Sequence, residues 1–190
     1  MKKVIVDIGT GDGRFIYANA KSNPDNFYIG IDPAPKQAEK YQKRVNREKL
    51  NNVEFLTGAV EKMPKELFGA ADEVYVNFPW GSLLGGIAKA EQKIVGAICS
   101  VLKPGGRLEI VFGYSQDAEP SEVKRLGLEG LTTKKIQNEI VPEFEKNGLK
   151  VIELDRISKS QAFEIESSWS KKLSFGQERK VFKMVFTLPE

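Results

Sequence analysis

The sequence predicts an α/β fold in which a mostly parallel, seven-stranded sheet carries helices on both faces. Three observations predict it: short apolar runs alternate with helical stretches along the chain, a glycine-rich turn follows the first apolar run, and an acidic residue ends the second. With 190 residues and 41% hydrophobic content, the chain can bury one substantial core. We therefore expect a single domain over residues 1–190.

The strands are expected in runs rich in branched residues, and the helices lie between them. The predicted strands are Val4–Ile8, Phe27–Asp32, Val53–Leu56, Glu73–Asn77, Arg107–Phe112, Lys150–Asp155 and Val181–Leu188. The predicted helices are Arg14–Ser22, Pro35–Glu48, Ile87–Leu102 and Lys134–Asn147. The alternation makes the first five strands parallel, whereas the last two could pair antiparallel at the edge. The Lys-Pro-Gly-Gly turn at 103–106 should stop a helix and start a strand.

The glycine-rich turn reads Asp-Ile-Gly-Thr-Gly-Asp-Gly from Asp7 to Gly13. Glycines let a backbone bend and approach a ligand, and an acidic residue ending the next strand, here Asp32, can hold ribose hydroxyls. A dinucleotide fold would space its glycines as G-x-G-x-x-G, and the carboxylates of Asp7 and Asp12 would repel a pyrophosphate. They would attract a cofactor with an ammonium and a sulfonium, so the spacing resembles the first motif of class I S-adenosylmethionine methyltransferases. NAD or another nucleotide, or a turn that binds nothing, remain alternatives. The candidate cofactor residues here are Asp7, Gly9, Thr10, Gly11, Gly13 and Asp32.

Two further segments should reach the same crevice, because ligands of such sheets sit at the carboxyl ends of the strands. In the turn at 58–61, Ala59 and Val60 offer an apolar slot for an adenine ring, although they could also be core fillers of a tight loop. At the end of the fourth strand, Asn77-Phe78-Pro79-Trp80 is similar to the Asn/Asp-Pro-Pro-Tyr/Phe motif of methyltransferases that modify exocyclic amines. Pro79 fixes the backbone there.

Both tryptophans of the chain fall on predicted loops at this end of the sheet. Trp80 offers a flat face on which a base could stack, although a tryptophan at a strand end can also be simple packing. Trp169 lies between serines and lysines in the segment between the last two strands, which is not the setting of a core tryptophan. The pair could sandwich a flipped base, with nearby lysines holding its phosphates.

Charge and composition narrow the chemistry further. The net charge is +3, and basic residues outnumber acidic ones in 36–49 and in 159–183, which indicates either solvated surfaces or an anionic partner. The chain has no histidine, so a histidine-activated nucleophile is excluded, and no Cys/His metal cluster exists in the sequence. The lone Cys99 rules out an internal disulfide and fits a buried apolar position. Without a signal peptide or an 18-residue apolar run, we expect a cytoplasmic protein with no membrane or DNA partner, acting as a monomer.

Four motifs together resemble one enzyme family. They begin at Asp7 (Asp-Ile-Gly-Thr-Gly-Asp-Gly), Tyr28 (Tyr-Ile-Gly-Ile-Asp-Pro), Phe78 (Phe-Pro-Trp-Gly-Ser-Leu-Leu) and Ser167 (Ser-x-Trp-x-Lys-x-Leu-x-Phe-Gly). The chain is similar to the aminoglycoside-resistance methyltransferases that modify N1 of adenine 1408 in 16S rRNA, with matches from Asp7 to Arg179. The first motif is generic, whereas the third and fourth in combination are specific.

The resemblance implies a class I, Rossmann-like methyltransferase that uses S-adenosylmethionine, releases S-adenosylhomocysteine and acts on 16S rRNA in the small ribosomal subunit. It implies that Asp7 and Asp32 hold the cofactor, and that Trp80 and Trp169 stack the target base in the catalytic site. The other residues expected at the cofactor are Ala59, Val60, Glu61, Asn77, Pro79 and Ser82. The residues expected at the RNA are Lys36, Lys40, Lys43, Arg44, Ser167, Lys171, Lys172 and Arg179, several of them in a target loop at about 158–178.

Adenine N1 carries a free lone pair, so this reaction needs no general base, and alignment would supply most of the catalysis. Two alternatives stay open. One is another RNA methyltransferase, such as the tRNA guanine-N7 enzymes, whose loop resembles Asn-Phe-Pro-Trp with an added Asp-Pro. The other is a cofactor- and RNA-binding factor without catalysis.

Overall fold

The computed structural model describes residues 2–165 and 179–190. Trp169, Ser167, Lys171 and Lys172 lie outside the described residues, so the expectations for them stay predictions. The strands are β1 (Val4–Ile8), β2 (Phe27–Asp32), β3 (Val53–Thr57), β4 (Ala71–Asn77), β5 (Leu102–Phe112), β6 (Lys150–Ile157) and β7 (Val181–Thr187).

The helices alternate with the strands over most of the chain. They are α1 (Arg14–Ser22), α2 (Pro35–Glu48), α3 (Gly81–Ala88), α4 (Gln92–Ser100), α5 (Pro120–Leu126), α6 (Thr133–Lys135), α7 (Val141–Lys146) and α8 (Lys159–Glu164). A π-helical turn, Ile136–Ile140, joins α6 to α7, and two 3₁₀ turns, Val60–Lys62 and Lys65–Leu67, lie between β3 and β4.

All seven strands form one sheet in the order β3-β2-β1-β4-β5-β7-β6. The pairs from β3 to β5 are parallel, and β7 runs antiparallel to both β5 and β6. The predicted α/β fold with its antiparallel edge is therefore confirmed. The chain order reverses between β1 and β4, which opens a crevice at their carboxyl ends, the usual ligand position in such sheets.

Apolar side chains cover both faces of the sheet. On one face, Ile16 and Ala20 of α1 pack on Ile5 and Tyr28. The larger cluster lies on the other face and joins α3, α4 and α7 to the central strands, and in it the rings of Phe144 and Phe186 stack at 4.8 Å. Burial on both faces fixes the strand positions, and hence the crevice at their ends.

Residues 87–102 do not form the single helix that the sequence predicts. The chain turns between α3 and α4 at Ala90, which has a φ of 54°. At that corner the two helices approach closely, because a Cβ at Gly86 would lie 2.6 Å from Cβ of Ile94. Helix α3 also begins earlier than predicted, directly after Trp80.

Strand β5 starts at Leu102 rather than at Arg107. The Lys-Pro-Gly-Gly turn at 103–106 is an irregularity inside the strand, and pairing with β4 shifts register across it. Gly105, with a φ of 76°, donates its N–H to the Leu188 carbonyl at 2.8 Å. Helices α5 and α8 were not predicted, because each is short and has little apolar periodicity.

Cys99 is buried as predicted, and burial raises the pKa of its thiol to about 12. Within 2–165 and 179–190, no helix combines the length and apolar character needed to span a membrane.

Candidate cofactor and target-base site

A cavity of about 440 Å³ lies at the carboxyl ends of β1, β2 and β4. Most residues predicted at the cofactor line it. They are Asp7, Gly9, Thr10, Gly11, Asp32, Ala59, Val60, Glu61, Asn77 and Ser82, and Trp80 lines it too. Gly13 and Pro79 do not. The volume falls in the range of small-molecule sites.

Backbone hydrogen bonds hold the glycine turn against the end of β2. The N–H groups of Gly9 and Thr10 both donate to the Ile31 carbonyl, at 2.8 and 3.0 Å. Gly9 and Gly13 have φ values of 78° and 76°, which favour glycine. A Cβ at Gly9 would lie 2.8 Å from Leu83, and one at Gly13 would collide with the Phe55 ring. Gly13 thus shapes the turn against Phe55 and does not line the cavity.

Asp32 lies at the carboxyl end of β2 and is half-buried. Its Oδ2 accepts the Gly11 N–H at 2.9 Å, and its Oδ1 accepts the Ala34 N–H at 2.8 Å. A carboxylate has about four acceptor positions, so two remain for hydroxyl donors from a ligand. The same residue therefore shapes the glycine turn and offers acceptors to the cavity.

Asp7 is the most unusual titratable group of the site. It is 2% exposed, and burial raises its pKa to about 7, with Asp32 adding to the rise and the nearby Thr10 hydroxyl and Asn77 amide opposing it. Even so, Asp7 Oδ1, Thr10 Oγ1 and Asn77 Nδ2 are buried without a partner of hydrogen-bonding geometry among the described residues. Buried polar groups are almost always paired, so this cluster is a candidate site for a polar ligand.

These groups fit S-adenosylmethionine. A buried carboxylate and a hydroxyl suit the ammonium end of its methionine moiety, and the donor and acceptor groups around them suit its carboxylate and hydroxyls. The Gly-rich turn leaves room for close approach of the backbone.

The opposite wall has apolar and polar parts. Val60 is buried at the start of a 3₁₀ turn, where it lines the cavity and also belongs to the core, so the adenine slot stays a prediction. The Ser82 hydroxyl is the main cause that lowers the pKa of Glu61, which keeps this carboxyl ionised. Glu61 Oε2 is buried without a hydrogen-bond partner among the described residues.

Residues 78–81 form the Trp80 loop, which closes one side of the cavity. Buried Phe78 donates its N–H to the Val111 carbonyl at 2.7 Å and has a φ of 50°. A left-handed backbone costs a residue with a side chain roughly 1–2 kcal/mol, and such strain is concentrated at functional sites. Gly81, with a φ of 62°, begins α3. The Trp80 side chain between them remains 41% exposed at the cavity.

Other residues of the cavity were not among those named for the cofactor, although Asp12, Gly58, Phe78, Gly81 and Leu83 belong to the segments or motifs that predict the crevice. These other residues are Ile8, Asp12, Phe15, Ile31, Pro33, Ala34, Gln37, Gly58, Phe78, Gly81 and Leu83. Pro33 and Ala34 directly follow Asp32, so the strand-end rule could have found them. Gln37 comes from α2, and no sequence signal marks it, whereas Leu83 of α3 lies in the Phe-Pro-Trp-Gly-Ser-Leu-Leu motif.

The basic residues of α2 form a surface next to the cavity, hereafter the α2 face. Lys36, Lys40 and Lys43 are exposed, and together with Arg44 and Arg47 they line a shallow groove that also includes Gln37. Since Gln37 lines the cavity as well, the groove and the cavity adjoin. Arg44 lies over the rings of Tyr17 and Tyr41, at 5.9 and 5.2 Å, and is therefore held against α1.

Arg179 follows the undescribed segment and is largely buried. Its Nη2 lies 2.7 Å from Oε1 of Glu119, and neither side chain is more than 13% exposed. This ion pair ties the end of the predicted target loop to the residue preceding α5. Among the described residues, no group of His, Cys, Asp and Glu side chains is arranged to hold a metal ion.

Comparison with known proteins agrees with this geometry. A family model, NpmA: 16S rRNA (adenine(1408)-N(1))-methyltransferase, matches residues 1–187. A 16S rRNA (adenine(1408)-N(1))-methyltransferase of Escherichia coli is 33% identical over 187 residues, which cover 96% of this chain and 85% of the relative.

Two solved structures are similar throughout. The aminoglycoside resistance methyltransferase NpmB1 is 36% identical, with a TM-score of 0.83 over 98% of this chain and 87% of that one. A mutant 16S rRNA (adenine(1408)-N(1))-methyltransferase from Catenulisporales acidiphilia, solved with its cosubstrate SAM, is 28% identical, with a TM-score of 0.85 over 99% and 86%.

Proposed function

Because the chain belongs to the family of 16S rRNA (adenine(1408)-N(1))-methyltransferases, we propose that it methylates N1 of adenine 1408 in the small ribosomal subunit and so gives aminoglycoside resistance. The observation that carries the proposal is the cavity itself. It combines the buried polar residues Asp7, Thr10 and Asn77, each with one side-chain atom that has no hydrogen-bond partner among the described residues, with an exposed tryptophan at its edge. The polar residues suit a cationic cofactor, and the ring of Trp80 suits a planar base.

The cofactor would be held mainly at the glycine turn. Asp7 and Thr10 would bind the amino-acid end, Asp32 the ribose hydroxyls, and Ala59 and Val60 the faces of the adenine ring. When bound, S-adenosylmethionine supplies an electrophilic methyl group on a sulfonium, and S-adenosylhomocysteine is the product. Glu61, kept ionised by Ser82, adds an acceptor on the adenine side.

The target base would stack on Trp80, with Trp169 as the second ring. Neutral adenine presents the N1 lone pair directly, so no residue has to remove a proton before attack. The chain's contribution is alignment, since holding the reacting atoms in line can supply several kcal/mol, up to about 7–11 in the best oriented systems.

The α2 face would hold ribosomal RNA beside the cavity. Lys36, Lys40 and Lys43 are exposed cations, and phosphate contacts of this kind position a protein on RNA without reading sequence. Lys171 and Lys172 would act in the same way, with Ser167 and Arg179 fixing the target loop. Because ribosomal subunits are its substrate, the enzyme would work in the cytoplasm. It would act as a monomer, since the proposed reaction uses residues of one chain.

The proposal is tested by incubating the purified protein with S-adenosylmethionine carrying a labelled methyl group and with small subunits, large subunits or tRNA in parallel. We expect label in the small subunit alone. Label in tRNA would indicate a tRNA methyltransferase instead. Cofactor and RNA binding with no label in any substrate would indicate a binding factor without catalysis.

A further inference from the structure

We propose that Glu122 of α5 is a positioning residue that fixes the Trp80 loop for methyl transfer. The inference rests on the proposed methyltransferase function and adds a residue that does not line the cavity. The Trp80 loop begins at the end of β4, and Glu122 holds its other end, at Gly81.

A hydrogen bond links α5 to the end of the Trp80 loop. The Gly81 N–H donates to Glu122 Oε1 at 3.1 Å, although the two residues are 41 apart in sequence. Glu122 is only 9% exposed, which is unusual for a glutamate. Gly81 directly follows Trp80 and is the first residue of α3, where the backbone N–H groups lack partners within the helix. A carboxylate at that position is electrostatically favourable.

Glu122 is in turn held by its own helix. Arg125 donates Nε to Oε2 at 2.8 Å and Nη2 to Oε1 at 2.7 Å, a two-point ion pair that fixes the plane of the carboxylate. Helix α5 also packs closely on α3. A Cβ added at Gly85 of α3 would lie only 3.2 Å from the Leu126 side chain of α5. The hydrogen bond to Gly81 therefore joins two packed helices and does not depend on a mobile side chain.

The loop needs an anchor at each end. Phe78 and Gly81 both have left-handed backbone conformations, and Trp80 lies between them. The start of the loop is held by the Phe78 N–H on the Val111 carbonyl of β5, and the end is held by Glu122. With the second bond gone, relaxation at Gly81 would rotate the backbone that carries the Trp80 ring. Since small misplacements of a stacked substrate reduce turnover strongly, the bond should matter for kcat.

Three variants separate this role from general stabilisation. Glu122→Ala removes the acceptor, Glu122→Gln keeps an acceptor oxygen without charge, and Arg125→Met breaks the ion pair but leaves the bond to Gly81. We expect kcat on small subunits to fall about tenfold or more in Glu122→Ala, while the cofactor Kd stays within about threefold. Glu122→Gln should recover most of the turnover. Arg125→Met leaves the acceptor in place but removes the group that orients it, so it should lose clearly less turnover than Glu122→Ala.

A second readout does not require activity. In a Trp169→Phe background the remaining tryptophan fluorescence comes from Trp80, and its quenching by acrylamide reports the exposure of that ring. We expect altered quenching in Glu122→Ala and a smaller change in Arg125→Met. If Glu122→Ala does not fold, Glu122→Asp takes its place, because it keeps the charge but shortens the reach to Gly81.

Unchanged kcat and unchanged quenching in a folded Glu122→Ala protein would overturn the proposal. So would equal losses in Glu122→Ala and Arg125→Met, since that pattern is expected of a role in α5 stability alone. If the parent protein transfers no methyl group to small subunits, the proposed function has failed. The quenching comparison then still decides whether Glu122 positions the Trp80 loop.

Discussion

The two sides of the cavity are built in different ways. On the cofactor side, neighbouring strand ends hold each other, with Gly9 and Thr10 on the Ile31 carbonyl and Gly11 on Asp32. On the target side, the Trp80 loop combines two left-handed residues with an anchor from α5, a helix far along the chain. The cofactor side is therefore fixed by contacts between the ends of adjacent parallel strands, whereas the target side also depends on a helix that packs against the loop.

The largest expected effect is on the target side alone. Trp169→Ala and Trp80→Ala should each reduce kcat/KM on small subunits about 100- to 1000-fold, because the base loses a stacking surface and its alignment. Both variants should keep the cofactor affinity of the parent, measured by calorimetry. Phe68→Ala is a matched control. Phe68 is an exposed aromatic residue just before β4, so it lies at the amino end of that strand, whereas the cavity lies at the carboxyl end. Parent-like turnover in Trp169→Ala would contradict the hypothesis that the target base stacks between the two tryptophans.

On the cofactor side, Asp7 should destabilise the empty protein at neutral and higher pH. Its pKa is raised from 3.8 to about 7 in the fold, so the native state keeps this proton after the unfolded chain has lost it. The cost in stability is absent below about pH 4, grows as pH rises, and is complete above about pH 7. Asp7→Asn should therefore raise the free energy of unfolding by roughly 4 kcal/mol at pH 8 and by less than half of that at pH 5.

Urea unfolding of both proteins across this pH range measures the difference directly. A gain that is constant with pH would mean that the Asp7 carboxyl is not the cause. The variant should also lose cofactor binding, because an amide cannot replace the carboxylate opposite an ammonium.

Asp32→Ala should weaken cofactor binding by about 10- to 100-fold, the usual effect of losing hydrogen bonds to a charged group. It should also lower the melting temperature, since Asp32 accepts the N–H groups of Gly11 and Ala34. Asp25→Ala, at an exposed carboxylate before β2, controls for the loss of charge. Unchanged affinity by calorimetry would contradict the ribose role.

The smallest effect is expected at the α2 face. Replacing Lys36, Lys40 and Lys43 by alanine should raise KM for small subunits about tenfold and flatten its salt dependence, with cofactor Kd unchanged. Lys150→Ala is the control, because Lys150 is exposed at the start of β6. If salt changed KM equally in the triple variant and in the parent, the hypothesis that the α2 face contacts RNA would be contradicted.

The same contrast explains what the sequence could predict. The bounds of β1 and β2 and the position of the glycine turn follow from local patterns, since Asp7, the glycines and Asp32 lie at strand ends that periodicity locates well. The division of residues 87–102 into two helices depends on the close contact of Gly86 with Ile94, and the anchor of the Trp80 loop depends on Glu122. Neither leaves a periodic signal, because each joins residues through packing.

Gly13 and Pro79 show the limit of motif reasoning within the site. Both belong to motifs that line the cavity, yet Gly13 faces Phe55 and Pro79 does not line the cavity. A motif therefore identifies the turn that makes a site more reliably than the atoms that face the ligand.

The most direct test of the account is primer extension on 16S rRNA from small subunits treated with the protein and S-adenosylmethionine. A methyl group on N1 blocks base pairing, so we expect a new stop at adenine 1408, lost in Trp169→Ala and retained in Phe68→Ala. Methylated rRNA without a stop at that adenine, or a stop that persists in Trp169→Ala, would contradict the division of the cavity into a cofactor side and a target side.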